Sequence, residues 1–183
     1  MIVHLFLNLV FSNSIFLRPQ AGLDLTQMYG AKKEFLEEFW YTFQEVWLTL
    51  YGTHLATVAA MNGHALAGGC IISLACDYRT IAQGVTIGLN EAAFGLVAPP
   101  WTIQMMIDVI GRRQAEKALS LGKVFGTEEA FSLGLVDKVI PTGSDTKTEA
   151  EKDIVKWTKA PGRAATKLLV RKTLLEVFLL YQL

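Results

Sequence analysis

Cysteine is scarce in this 183-residue chain: two are present, Cys70 and Cys76, on one segment that reads as a helix. Residues six apart on a helix point to different sides, so the two cannot bridge, and a disulfide framework is excluded. They read as buried thiols in a reducing compartment rather than as a redox or metal pair. Histidine is equally sparse. His4, His54 and His64 are scattered, without the spacing of a metal site or a nucleophile's base, which leaves them structural or surface roles. Net charge is absent, seventeen Lys and Arg offsetting seventeen Asp and Glu, so no global field draws the chain to nucleic acid or to an anionic membrane. A long hydrophobic run is missing too. The apolar stretch over residues 1–11 is too short to span a bilayer and carries no Lys or Arg, so it reads as a weak signal core or as a buried strand. It also lacks the arginines and amphipathic pattern of a mitochondrial transit peptide, and Tyr181-Gln182-Leu183 is not a peroxisomal tripeptide.

What is present is an apolar majority, 51% of the residues, sufficient for the core of one domain. From Ala21 onward short strands and helices alternate without a linker or a repeat. Phe35, Phe39, Phe43, Val46, Trp47 and Leu50 recur every three or four residues and predict a helix over 31–51 with an aromatic core face. Residues 56–61 read as a buried strand and 66–75 as a helix. Residues 77–82 and 85–89 read as two strands joined by the short Gln83-Gly84 connection. Pro99-Pro100 stops the preceding segment; helices follow over 101–110, ended by Gly111, and 112–121, ended by Gly122. Thr127 is placed to cap a further helix, with Glu128 and Glu129 in its first turn. A short strand is expected over 135–140, a polar stretch over 141–148, and two helical segments around Pro161. The apolar tail after Glu176 is expected to pack on something.

The chemistry is concentrated in two places. The turn Asn62-Gly63-His64-Ala65-Leu66-Ala67-Gly68-Gly69-Cys70 stands between a strand and a helix, where glycines let a ligand approach outward-facing N–H groups at the positive end of the helix dipole. About twenty residues later, Ile87-Gly88-Leu89-Asn90-Glu91 delivers one carboxylate at a strand end. Amides that hold a negative oxygen, with a carboxylate that takes a proton next to a carbonyl, are the equipment for forming an enolate. Taken singly, Gly68-Gly69 reads as close helix packing and Glu91 as a solvated loop carboxylate; their joint spacing favours the chemical reading. Asp24 serves equally as a cap for the following segment or as a ligand contact.

These phrases, together with Ala21-Gly22-Leu23-Asp24-Leu25-Thr26, Cys76-Asp77-Tyr78-Arg79, Gly95 and Gly134-Leu135-Val136-Asp137, resemble the crotonase (enoyl-CoA hydratase/isomerase) superfamily, and within it the mitochondrial Δ3,Δ2-enoyl-CoA isomerases. The resemblance covers about 21–172. It implies an α/β fold with a crotonase-like ββα spiral core over 21–145 and a C-terminal helical region over 146–183, preceded by an unmatched segment over 1–20. It implies Glu91 as the catalytic acid/base, the amides of Ala21 and Gly68 as the oxyanion hole, and Ala21, Gly22, Leu23, Asp24, Leu25 and Gly68 as substrate-binding residues. The implied substrate is an acyl-CoA thioester, with no metal and no further cofactor, in a homo-oligomer (a trimer) of the mitochondrial matrix. Hydratases of the superfamily carry a second glutamate directly after the Gly-Gly-Cys turn; here that place is Ile71, which cannot hold a water between two carboxylates and so favours isomerisation over hydration.

The departures are equally specific. Pro19-Gln20 replaces the family's Phe-Ser, and the Gln83-Gly84 connection is about two residues shorter than the isomerase pattern. Strands that precede Ala21 in the family and helices that follow Lys172 have no counterpart, so the chain reads as truncated at both ends, through an alternative first exon or an erroneous gene model. A non-catalytic truncated isoform or fragment that is unstable alone or only joins family oligomers is the competing expectation.

Overall fold

In the computed structural model, which describes Leu23 and residues 28–180, the apolar spacing of the first predicted helix yields α1 (Lys33–Gly52). It is followed by β1 (Val58–Met61), β2 (Ala65–Leu66), α2 (Gly68–Ala75), β3 (Tyr78–Ala82) and β4 (Thr86–Gly88). A 3-10 turn (Glu91–Phe94) then leads to α3 (Pro100–Ile110), α4 (Arg112–Leu121), β5 (Phe125–Gly126), α5 (Thr127–Ser132), β6 (Lys138–Ile140), α6 (Thr146–Thr158) and α7 (Arg163–Leu180). Pro100 opens α3, where a missing N–H costs nothing. Gly122 closes α4 in the left-handed region, at φ 58° and ψ 40°.

The strands form two small sheets. One is parallel, in the order β1-β3-β6, with Val58 opposite Tyr78 and Ile81 opposite Val139. In the other, β4 runs parallel to β2, with Leu66 opposite Gly88, and antiparallel to β5, with Ile87 opposite Phe125. The segments over 77–82 and 85–89 are therefore not partners across Gln83-Gly84. Both edges of β3 are already occupied by β1 and β6, so the chain turns at Gly84 (φ 84°) and enters the other sheet. Three expectations are corrected. Ala65–Leu66 is a strand, so the helix expected from Leu66 begins at Gly68. Thr127 is the first residue of α5 rather than its cap; Gly126 occupies the cap position. In the polar stretch Asp145 caps α6, accepting from the N–H groups of Lys147 and Thr148.

The core lies between α1, α2, α3 and α7. Trp47 is fully buried, donates Nε1–H to Met105 Sδ at 3.2 Å, and has its ring 5.1 Å from Tyr51 and 4.8 Å from Phe178. The aromatic face is thus core as expected, and the apolar tail packs on it through Phe178. No described helix is long and apolar enough to cross a membrane.

Beneath this core sits a buried ion cluster. Asp77, with 4% of its side chain exposed, receives Lys167 at 2.9 Å, Arg171 at 3.0 Å and Arg163 at 3.8 Å, all from α7. Its Oδ2 also accepts the Thr57 N–H at 2.9 Å. Arg171 continues outward, donating to the carbonyls of Tyr51 and Ala75 in the last turns of α1 and α2 and lying 4.3 Å over the Tyr51 ring. Carbonyls at helix ends lack intrahelical donors, so one guanidinium satisfies both. Removing the carboxylate leaves three crowded cations without a counter-charge. Asp77→Ala is expected to lose about 3–5 kcal/mol of unfolding free energy, read by urea denaturation; a loss under about 1 kcal/mol would show the cluster to be a solvated pair.

Candidate active site

β2 and β4 lie side by side, and each ends in a turn that carries one half of the expected chemistry. After β2 the backbone bends at Ala67, with φ 45° and ψ −114°, a region that a residue with a Cβ avoids. Two hydrogen bonds hold it there: Ala67 N–H donates to Gly88 O at 2.9 Å, and Ala67 O accepts the Ile71 N–H at 2.9 Å. Because α2 starts at the next residue, Gly68 and Gly69 have no intrahelical acceptors for their N–H groups, which sit at the positive end of the helix dipole. Gly68 leaves little room for a side chain. A Cβ there would lie 3.2 Å from Leu23 Cγ and Cδ2. That contact places Leu23 against Gly68, two of the residues that the resemblance implies for substrate binding. Ala21, Gly22, Asp24 and Leu25 lie outside the described residues, as does His4.

Beyond β4, Leu89 and Asn90 lead into the 3-10 turn, whose first residue is Glu91. Glu91 is half-buried, yet its Oε2 is sealed from solvent and has no hydrogen-bond partner. Desolvation raises the Glu91 pKa above its ordinary value, with a backbone hydrogen bond from its own N–H opposing. The carboxylate is within electrostatic reach of the first turn of α2: burial, and then the charge of Glu91, push the Cys70 thiol far up. The Cys76 thiol is pushed up to about 12, chiefly by burial. Both cysteines are buried and unbridged, so neither supplies a thiolate near neutral pH. Ile71, 3% exposed, walls the same turn with hydrocarbon.

His54 and His64 are exposed. His64 is nonetheless connected, since its Nδ1 accepts the Thr86 N–H at 3.2 Å and lies 2.8 Å from Thr86 Oγ1, linking the chain before β2 to the start of β4. A cavity of about 990 Å³ among α1, α3 and α7 is lined by Tyr51, Trp101, Asp108, Arg171 and Phe178, and by Leu74 and Cys76 at the C-terminal end of α2. Neither Gly68 nor Glu91 lines it. Sequence reading gave no role to Ala67 or Gly88. The available signal was a glycine inside a strand, which marks close backbone approach: a Cβ on Gly88 would lie 2.6 Å from Lys123 O.

Two small sheets braced by helices, with an amide turn and a lone half-buried glutamate at adjacent strand ends, define a crotonase-type α/β protein. Comparison with known proteins places it further. Residues 16–174 match the family described as Enoyl-CoA hydratase/isomerase, and the chain belongs to that family. It is 44% identical over 156 residues to the Mus musculus protein named Enoyl-CoA delta isomerase 1, mitochondrial, covering 83% of this chain and 54% of the mouse protein. The Homo sapiens protein of that name is 42% identical over 156 residues, covering 83% of this chain and 51% of the human one. A crystal structure of human mitochondrial delta3-delta2-enoyl-CoA isomerase superposes with a TM-score of 0.85 at 39% identity, over 89% of this chain and 64% of that chain. The chain spans about half the length of the curated relatives it matches.

Two outcomes follow from this geometry. Ala67→Gly relieves a strained backbone without removing a contact the site uses, and is expected to raise unfolding free energy by about 1 kcal/mol; an unchanged or lowered value means that the Ala67 methyl contributes packing that outweighs the strain. Glu91 is a carboxyl whose folded pKa is raised, so its stabilising contribution is present below the unfolded pKa and lost as pH rises through the folded value. Glu91→Gln is therefore expected to melt higher than the parent at pH 7, with the advantage disappearing as pH falls below the ordinary carboxyl value of 4.5. Equal melting temperatures across that range would mean the carboxylate is solvated.

Proposed function

We propose that this chain isomerises 3-cis- or 3-trans-enoyl-CoA thioesters to the 2-trans form, a step of fatty acid β-oxidation, in line with relatives named enoyl-CoA delta isomerase. The observation that carries the reading is the Oε2 of Glu91, buried and without a donor, in the turn after β4, the strand beside β2 that leads into α2. A carboxylate kept from water and from cations is a stronger base, and one whose conjugate acid holds its proton long enough to return it. Glu91 takes a proton from C2 of the substrate. The electrons of that C–H bond spread into the thioester, whose oxygen becomes anionic and is held by the N–H groups of Gly68 and Ala21. The same carboxyl then returns the proton at C4, and the double bond moves from C3–C4 to C2–C3. One proton and one double bond change place, so no electron acceptor is needed and CoA enters only as part of the substrate.

Ile71 favours this reaction over hydration. Adding water across a double bond needs a second polar group to orient the nucleophile, and the position after Gly-Gly-Cys offers a buried hydrocarbon instead. In the same reading, residues 21–25 line the groove for the CoA portion, Leu23 being the one seen against Gly68. By the same resemblance the chain acts in mitochondria and assembles as a homotrimer.

The test is conversion of a short 3-trans-enoyl-CoA by the purified chain, run beside Glu91→Gln. Turnover by the parent and a loss of at least about a hundredfold in the variant are expected. Glu91 must be ionised to accept the C2 proton, so the acid limb of kcat/KM should fall at a pH above the ordinary carboxyl value of 4.5. A folded, soluble chain that shows no turnover would instead favour the non-catalytic reading, in which it serves only by joining other subunits of the family.

A further inference from the structure

The connection between α4 and β5, Gly122-Lys123-Val124, touches both halves of the site through backbone alone. At Gly122 a Cβ would lie 2.6 Å from Ala93 N, 3.0 Å from Ala93 Cβ and 3.1 Å from Asn90 O, residues two after and one before Glu91. One residue later the chain presses on the other strand: a Cβ on Gly88 would lie 2.6 Å from Lys123 O and 3.1 Å from Val124 Cα. Gly88 in turn accepts the Ala67 N–H and sits opposite Leu66, so its position sets that of the turn bearing Gly68.

The connection is itself anchored. Gly122 and Lys123 close α4 by donating their N–H groups to Leu119 O at 3.3 Å and Ala118 O at 2.8 Å. The ammonium of Lys123 pairs with Glu129 of α5 and lies 5.1 Å over the Phe125 ring. Phe125 is buried in the core opposite Ile87. The contacts at Gly122 and Gly88 contain no side chain that could change rotamer to absorb a shift, so a displacement of 122–124 passes directly to Glu91 or to the amide turn.

We propose that Gly122-Lys123-Val124 is a positioning element for the reaction: it fixes the distance between the Glu91 carboxylate and the Gly68 amide, and Gly122 is the positioning residue that permits it. The inference rests on the proposed isomerase reading for its kinetic consequence and on geometry for its structural one. Since a misplacement on the order of 1 Å costs about a hundredfold in rate, a few tenths of an ångström at Ala93 should cost about tenfold.

Gly122→Ala tests it beside Gly111→Ala. Gly111 has φ 79° and ψ 151°, a conformation at least as hostile to a Cβ as that of Gly122, and nothing within 4 Å of the space a Cβ would take, so its replacement carries backbone strain without the contact. Gly122→Ala is expected to lower kcat about tenfold or more with KM changed by less than about threefold, and to move the Glu91 titration midpoint, followed by carbon NMR of labelled glutamate. Gly111→Ala should lower the melting temperature and leave both readouts in place. If Gly122→Ala does not accumulate, Gly122→Asn replaces it, since asparagine tolerates the left-handed region and carries the same Cβ. The proposal is overturned if the variant at Gly122 matches Gly111→Ala in kcat and in Glu91 titration. The titration needs no turnover, so a parent without isomerase activity would refute the functional reading while the NMR comparison still decides the positioning claim.

Discussion

A carboxylate taken out of water must be paired, and the pairing of Asp77 decides where half of this molecule goes. Asp77 and Thr57 lock the starts of β3 and β1 together, since Thr57 N–H donates to the carboxylate while Asp77 N–H donates to Thr57 O and Oγ1. The charge then draws three cations from α7 across the base of the sheet. Those cations are spaced every four residues, one face of a helix, so the helix as a whole lies down there. Once it does, Arg171 caps the ends of α1 and α2, and Phe178 meets Trp47 and Trp101. Fixing the C-terminal end of α2 in this way leaves its N-terminal end, with Gly68 and Gly69, to face the site.

At that end the protein tolerates the opposite arrangement. Glu91 Oε2 is as enclosed as the Asp77 carboxylate but has no donor, and Ala67 holds a conformation suited to glycine. Both features oppose folding; in the proposed isomerase reading both serve a proton transfer, one by strengthening a base and the other by aiming amides. The paired carboxylate follows the C-terminal end of α2, whereas the unpaired one follows β4 and acts electrostatically on Cys70 in the first turn of that helix.

Much of the scaffold was legible from punctuation. Pro100, Gly111 and Gly122 bound α3 and α4 within one residue of expectation, because a missing N–H or a positive φ is a local property. The spacing of Phe39, Trp47 and Leu50 gave α1 and its buried face. Two-residue strands were not legible. Ala65–Leu66 and Phe125–Gly126 are too short to show alternation and exist only because β4 lies between them. The two strands joined by Gln83-Gly84 were legible, but not that they belong to different sheets, which follows from β3 having no free edge. The phrases Cys76-Asp77-Tyr78-Arg79 and Gly134-Leu135-Val136-Asp137 identify the family, yet they serve the fold. Asp77 anchors α7, and Asp137 pairs with Arg79 and accepts its backbone N–H.

The sequence by itself determined the kind of site: one carboxylate, a glycine-bearing strand-to-helix turn, and Ile71 where a second acid would stand. Those are matters of residue type and of spacing along the chain, which a linear pattern records. Tertiary structure alone decided that Glu91 Oε2 is without a donor, that Leu23 lies on Gly68, and that Gly122 and Gly88 let a distant loop bear on both turns. Those properties arise where segments far apart in the chain meet, and desolvation and close approach depend on what fills the surrounding space, which no local pattern contains.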